Sequence, residues 1–144
     1  MPTYADNRKA RFDFELKDEL EAGLVLSGPE VKSVKEGNTS LKGSYVSVSS
    51  EGAFLINAHI GPYKYAQQDN YNPTKPRKIL LNKSEINALL GKEKGFVIIP
   101  MSIYSGKKGL IKLKIGLGRG RKKEDKREYI KKRDDKREAR EVTK

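Results

Sequence analysis

The chain contains no cysteine. That excludes disulfides, thiolate metal sites and cysteine nucleophiles, and it fits a reducing compartment. It contains one histidine, His59, which would need partners of other kinds to hold a metal or to act in catalysis. His59 falls where a strand gives way to Gly61-Pro62, a place better suited to structure or RNA contact. No apolar run approaches the roughly 20 residues that a membrane-spanning helix requires. Residues 1–7 lack the apolar core of a secretion signal, so the expected location is the cytoplasm. Also absent are HExxH, a phosphate-binding loop ending in Gly-Lys-Ser/Thr, and a nucleophile elbow. Gly116-Leu117-Gly118-Arg119-Gly120 resembles a glycine-rich phosphate loop but has no βαβ unit around it; it reads as a hinge. No catalytic residue, metal ligand or cofactor is assigned, and the chain does not read as an enzyme.

What is abundant is positive charge. The 144 residues carry a formal net charge of +12. Residues 119–144 hold 13 Lys or Arg against 7 Asp or Glu, which is half of that excess in under a fifth of the length. A basic excess of this size attracts phosphate and leaves the fold open. The same segment has only Tyr129, Ile130, Ala139 and Val142 as apolar residues. Ordering a backbone costs roughly 1–2 kcal/mol per residue, which so little apolar surface cannot offset. Yet the segment is rich in helix formers. The expectation is a tail that is disordered when free and helical inside an anionic channel.

The remaining 118 residues read as one mostly β domain. Residues 1–11 form a polar, basic lead-in. A first strand is expected from Phe12 through Leu16, and a second, or a bent continuation, through residues 20–26 with Gly23 as a bulge. Ser27-Gly28-Pro29-Glu30 starts a short helix with Val31 and Val34 on one face and a stop at Gly37. Residues 44–49 and 53–60 form a hairpin across Ser50-Glu51-Gly52. Residues 61–76 form a long irregular loop, usually a functional feature in a small domain. Residues 77–81 form a strand. Asn82 caps the next helix with Glu85 in a capping box, Ile86, Leu89 and Leu90 as its buried face, and Gly91 as its end. Residues 96–104 and 110–117 form a second hairpin, in which Ile111, Leu113 and Ile115 face the core and Lys112 and Lys114 face out. The preferred architecture is a small antiparallel OB-type barrel with two or three short helices and a basic C-terminal tail; a split-sheet α+β fold is second.

The clearest binding signal outside the tail is the mixing of aromatic and basic residues. Tyr63, Tyr65 and Tyr71 share the long loop with Lys64 and Lys75, and Arg77 and Lys78 follow. Rings stack on exposed bases while Lys and Arg hold phosphates.

Six blocks in order resemble one family: Asn7-Arg8-Lys9-Ala10-Arg11, Glu21-Ala22-Gly23-Leu24, Glu30-Val31-Lys32-Ser33, Asn57-Ala58-His59-Ile60 with Pro62-Tyr63, Arg77-Lys78-Ile79-Leu80-Leu81-Asn82, and Asp125-Lys126-Arg127. Together they look like SmpB, the SsrA-binding proteins of bacterial ribosome rescue, from residue 7 through the tail. The resemblance implies a monomeric OB-type barrel, residues 1–118, that binds the tRNA-like domain of transfer-messenger RNA. It implies that residues 119–144 engage the small-subunit decoding centre and the empty message channel. Glu21, Leu80 and Asn82 match family positions tied to RNA binding, and Lys35 matches a basic contact. Lys32, His59, Tyr63, Arg77 and Lys78 complete the expected RNA face. In the tail, Gly120 and Asp125-Lys126-Arg127 match positions tied to decoding, with Lys122, Lys123, Lys131, Lys132 and Arg133 as further cations. Glu124 and Phe12 stand where many members carry histidine. A ribosomal structural protein with a basic extension is the competing reading.

Overall fold

The computed structural model describes residues 2–66, 69–92 and 94–120, together with Arg127, Ile130 and Lys131. Along these residues the chain forms β1 (Thr3–Asp6), α1 (Arg8–Asp13), β2 (Phe14–Leu24), α2 (Gly28–Lys35), β3 (Thr39–Ser40), β4 (Tyr45–Ser49), β5 (Gly52–Ile56), β6 (His59–Ile60), β7 (Arg77–Leu80), α3 (Lys83–Leu90), β8 (Phe96–Ser105) and β9 (Ile111–Gly120). Arg127, Ile130 and Lys131 are helical.

Seven strands make one antiparallel sheet in the order β1-β8-β9-β2-β7-β5-β4, and β3 pairs with β6 in a second, small sheet. The large sheet rolls on itself, so that β4 packs against β8. This is the mostly β, barrel-type architecture that the sequence suggests. In the main core, Val34, Leu55, Ile60, Ile103, Leu113 and Ile115 are almost wholly shielded from solvent. Each buried aliphatic chain of this kind contributes about 1.5–3 kcal/mol. The alternation expected in β9 is present: Ile111, Leu113 and Ile115 are buried, while Lys112 and Lys114 lie between them on the outer face.

The N-terminal part differs from expectation. Residues 8–13 are helical, and the strand begins only at Phe14. Asn7 explains the change. Its Oδ1 accepts from the Ala10 N–H at 3.2 Å, capping α1, and its Nδ2 donates to the Pro100 carbonyl at 2.9 Å. Ala10 is thereby buried against Ile99 and Met101. The lead-in also supplies a strand, β1, at the edge of the sheet beside β8. The irregularity in β2 falls between Leu16 and Asp18 rather than at Gly23.

The glycine-rich run after Ile115 is a strand instead of a hinge. Gly116 and Gly118 are buried, and β9 stays paired with β2 on one side and β8 on the other up to Arg119 and Gly120. A Cβ on Gly118 would lie 2.7 Å from the Glu15 carbonyl oxygen. The glycines are therefore there for close approach of two strands. Strand β9 itself runs to Gly120.

Candidate nucleic-acid interface

Register brings several of the expected residues onto one outer face. In β2, Ala22 and Leu24 point inward, so Glu21 and Gly23 occupy the outer side. Gly23 pairs with Leu80 of β7, and the Leu80 side chain lies over the glycine, 3.4 Å from where a Cβ would stand. Leu80 remains 55% exposed, a large apolar surface facing water. Lys78 precedes it by two and is also exposed, opposite the exposed Phe54 of β5. Asn82 follows Leu80 by two residues, just beyond the end of β7, and is exposed. Asn82 begins α3 as expected: its Oδ1 accepts from the Glu85 N–H at 2.8 Å, while Glu85 reaches back to the Asn82 N–H at 3.0 Å. The cap engages the oxygen and leaves the amide nitrogen on the other arm of the side chain.

A second group forms where α2 meets the strand β6 and the loop that follows. Lys32 and Lys35 are exposed on α2, and His59 is exposed on β6. The Lys32 ammonium lies 5.8 Å from the centre of the Tyr63 ring, and Lys64 lies 4.7 Å from that of Tyr65. The two rings meet edge to face at 5.4 Å, and Tyr65 is 73% exposed. The loop is fixed to the helix from beneath. Buried Ser33 donates from Oγ to the Gly61 carbonyl at 2.6 Å, and Gly61 donates from its N–H to the Asn38 carbonyl at 3.0 Å. A Cβ on Gly61 would meet the Asn38 side-chain amide at 2.0 Å, so that exposed side chain would have to move aside.

Between the two groups lies a buried ionic network that the sequence did not reveal. Glu30 is 2% exposed. Its Oε1 accepts from the Ser27 N–H at 3.1 Å, closing a capping box at the start of α2. Its Oε2 accepts from Arg77 Nε at 2.9 Å. Arg77 also donates to the Ala58 carbonyl at 2.7 Å and to the Tyr71 hydroxyl at 2.9 Å, and that hydroxyl lies 2.8 Å from the Ile60 carbonyl. Lys75 adds a longer contact to Glu30 at 3.7 Å. Burial alone would raise the Glu30 pKa. The Ser27 hydrogen bond, with the bond and charge of Arg77 and the charge of Lys75, outweighs burial and holds the carboxyl below its ordinary range. The Tyr71 phenol is pushed up, by burial first and by the Glu30 charge second, against the opposing charge of Arg77.

This network corrects one expectation. Arg77 is 2% exposed and fully engaged inside the protein, so its role is to build the surface rather than to touch RNA. Leu90 is likewise on the outside of α3, 45% exposed, while Leu89 alone of that helix is buried. The other body residues, Glu21, Lys32, Lys35, His59, Lys78, Leu80 and Asn82, are exposed, and Tyr63 is half-buried. In the tail, Gly120 ends β9 and is exposed, as are Arg127 and Lys131. Lys122, Lys123, Asp125, Lys126, Lys132 and Arg133 lie outside the described residues, as does Glu124. A cleft lined by Asn7, Arg8, Lys42 and Tyr45 contains none of the expected RNA-binding residues. Among the described residues no cluster of three or more His, Cys, Asp or Glu is placed to hold a metal ion, and no helix is long and apolar enough to cross a membrane.

The family model described as "SmpB protein" matches residues 4–144. The chain belongs to the SmpB family. An SsrA-binding protein of Coprothermobacter proteolyticus is 46% identical over 143 residues, covering 97% of this chain and 95% of that protein. One from Shouchella clausii is 44% identical over 137 residues, covering 94% and 87%. A solved structure described as "tmRNA-SmpB: a journey to the center of the bacterial ribosome" is 37% identical, with a TM-score of 0.67, and covers 87% of this chain and 92% of its own. The SmpB match extends across the whole body and through the tail.

Proposed function

We propose that this protein is an RNA-binding adaptor of the cytoplasm. As a monomer it binds the tRNA-like domain of transfer-messenger RNA and delivers that RNA to ribosomes stalled on messages without a usable stop codon. The observation that carries the reading is the β2–β7 register, which lays Leu80 over Gly23 with Glu21 and Lys78 on the same outer face of an SmpB-family chain, and exposed Asn82 two residues past Leu80. On that face Lys78 answers a phosphate, Leu80 covers a sugar or base edge, and the Asn82 amide donates while its oxygen caps α3. Lys32, Lys35 and the ring of Tyr65 extend the basic and aromatic surface around α2. Arg77 and Glu30 keep the two groups in fixed relation.

The tail performs the second task. Its 13 basic residues against 7 acidic favour entry into the vacated message channel, where neutralisation by RNA phosphate tips it towards helix. The protein makes and breaks no covalent bond; it recognises shape and charge, and peptide transfer is left to the ribosome.

The test uses the full chain and a chain ended at Gly120, which keeps every pairing of β9. Both should bind the folded tRNA-like domain with equal affinity, and only the full chain should tag peptides on stalled ribosomes. Normal tagging by the shortened chain would overturn the role of the tail. Stoichiometric retention on purified subunits through high-salt washing, independent of stalling, would point instead to a ribosomal structural protein.

A further inference from the structure

Glu21 is an exposed acid on the outer face of the sheet, which also carries Glu19 and the lysines of β9. It pairs across the sheet with Lys114 of β9, but the Lys114 ammonium turns to Glu19, at 3.6 Å. The partner of Glu21 comes from one strand further away. Tyr104 of β8 stands opposite Lys112 of β9, and its hydroxyl donates to Glu21 Oε2. The two backbones are two strand spacings apart, about 4.8 Å each. The tyrosine side chain must therefore cross the outer surface of β9, between Lys112 and Lys114, to make the contact.

We propose that Tyr104 is a positioning residue for RNA recognition, holding the Glu21 carboxylate in place so that Oε1 accepts a hydrogen bond from a base amino group or a ribose 2′-hydroxyl. This rests on the reading that Glu21 contacts the RNA. A free glutamate on an open strand rotates about three bonds, and arresting them when RNA arrives weakens binding; a carboxylate already anchored through one oxygen avoids most of that loss. The anchor is dependable across pH. Burial first, then the hydrogen bond and charge of Glu21, push the phenol well above its ordinary value, so the hydroxyl keeps its proton. The anchor also explains how an acid can serve within a cationic surface. It stays beside Lys112 and Lys114 rather than turning towards RNA phosphate.

The experiment is a double-mutant cycle on affinity for the folded tRNA-like domain of transfer-messenger RNA. It uses full-length wild type, Tyr104→Phe, Glu21→Ala and the double variant. Tyr104→Phe should weaken binding about fivefold to tenfold with an unchanged melting temperature, and it should add nothing once Glu21 is gone. Equal losses in both backgrounds, or wild-type affinity for Tyr104→Phe, would overturn the proposal. Wild-type affinity for Glu21→Ala would sink the underlying reading of Glu21 itself, a different result. Glu21→Asp supplies a check that leaves the tyrosine intact. One methylene shorter, its carboxylate no longer reaches the phenol, so it should lose affinity as Tyr104→Phe does. Full binding by Glu21→Asp would count against the anchor.

Discussion

Arg77 donates from Nε to Glu30 Oε2 at 2.9 Å across 47 residues of sequence, and this bond fastens β7 to α2. Both side chains are almost completely buried. The strand that carries Leu80 and the helix that carries Lys32 and Lys35 are therefore held by one ion pair. Removing one partner strands the other charge in the interior. Arg77→Met should lower the free energy of unfolding by about 3–5 kcal/mol in a urea titration. The paired variant Glu30→Gln with Arg77→Met should lose less than the two single losses added together. A urea midpoint unmoved by Arg77→Met would show that the pair contributes nothing.

The same pair gives the protein an acid limit. Glu30 has an ordinary value of 4.5 when unfolded and titrates lower when folded. The unfolded chain thus takes up its proton first as acid is added. The stabilisation from Glu30 is complete above the unfolded value and is lost as pH falls through the folded one. Unfolding free energy followed from about pH 7 down to about pH 3 should fall on the acid side, and the fall should be shallower in Glu30→Gln. Identical acid limbs for the two proteins would remove Glu30 from the account.

Asn82 has two separable roles. Asn82→Asp preserves the cap on α3, because an aspartate oxygen accepts from Glu85 as well as an asparagine oxygen does. Asn82→Ala removes the cap and should cost about 1 kcal/mol of stability. Both substitutions remove the amide donor. RNA affinity should fall in both, while the melting temperature falls in the alanine variant only. Affinity that tracked the melting temperature would reduce Asn82 to a capping residue.

Phosphate contacts announce themselves through salt. Lys32→Ala and Lys35→Ala should each make RNA binding less sensitive to salt, lowering the slope of log affinity against log salt by about 0.7–0.9 per lost contact. Glu30 and Arg77 stay untouched by these changes, so folding should be unaffected. An unchanged slope would place the lysines outside the RNA footprint.

Gly118→Ala tests the crossing of β2 and β9. The new Cβ would press on the Glu15 carbonyl at 2.7 Å, and backbone does not yield as a flexible side chain does. A loss of about 1–3 kcal/mol is expected, read from thermal or urea unfolding. No loss would mean that β9 shifts freely at this point.

Local chemistry made much of this legible in advance. Asn82 with Glu85 announces a helix start because capping acts within four residues, and Pro29 with Glu30 announces another because a fixed φ and an acid suit a first helical turn. The alternation from Ile111 to Ile115 announces a strand with one wet face because strand periodicity is short as well. What escaped notice depends on contacts far apart in sequence. Asn7 nucleates α1 only because Pro100 offers a carbonyl, and Glu30 is more than a helix-start acid only because Arg77 reaches it. Arg77 reads as an RNA contact from sequence because a basic residue beside an aromatic loop looks alike whether it faces water or a buried carboxylate. The exposure of Leu80 likewise depends on a distant residue, Gly23, over which its side chain lies.

The grip on β9 has a mechanical consequence. Neighbours on both flanks hold the strand through Arg119, so the direction of the chain at Arg119 is set by the sheet. Any RNA that orients the body therefore also aims the base of the tail.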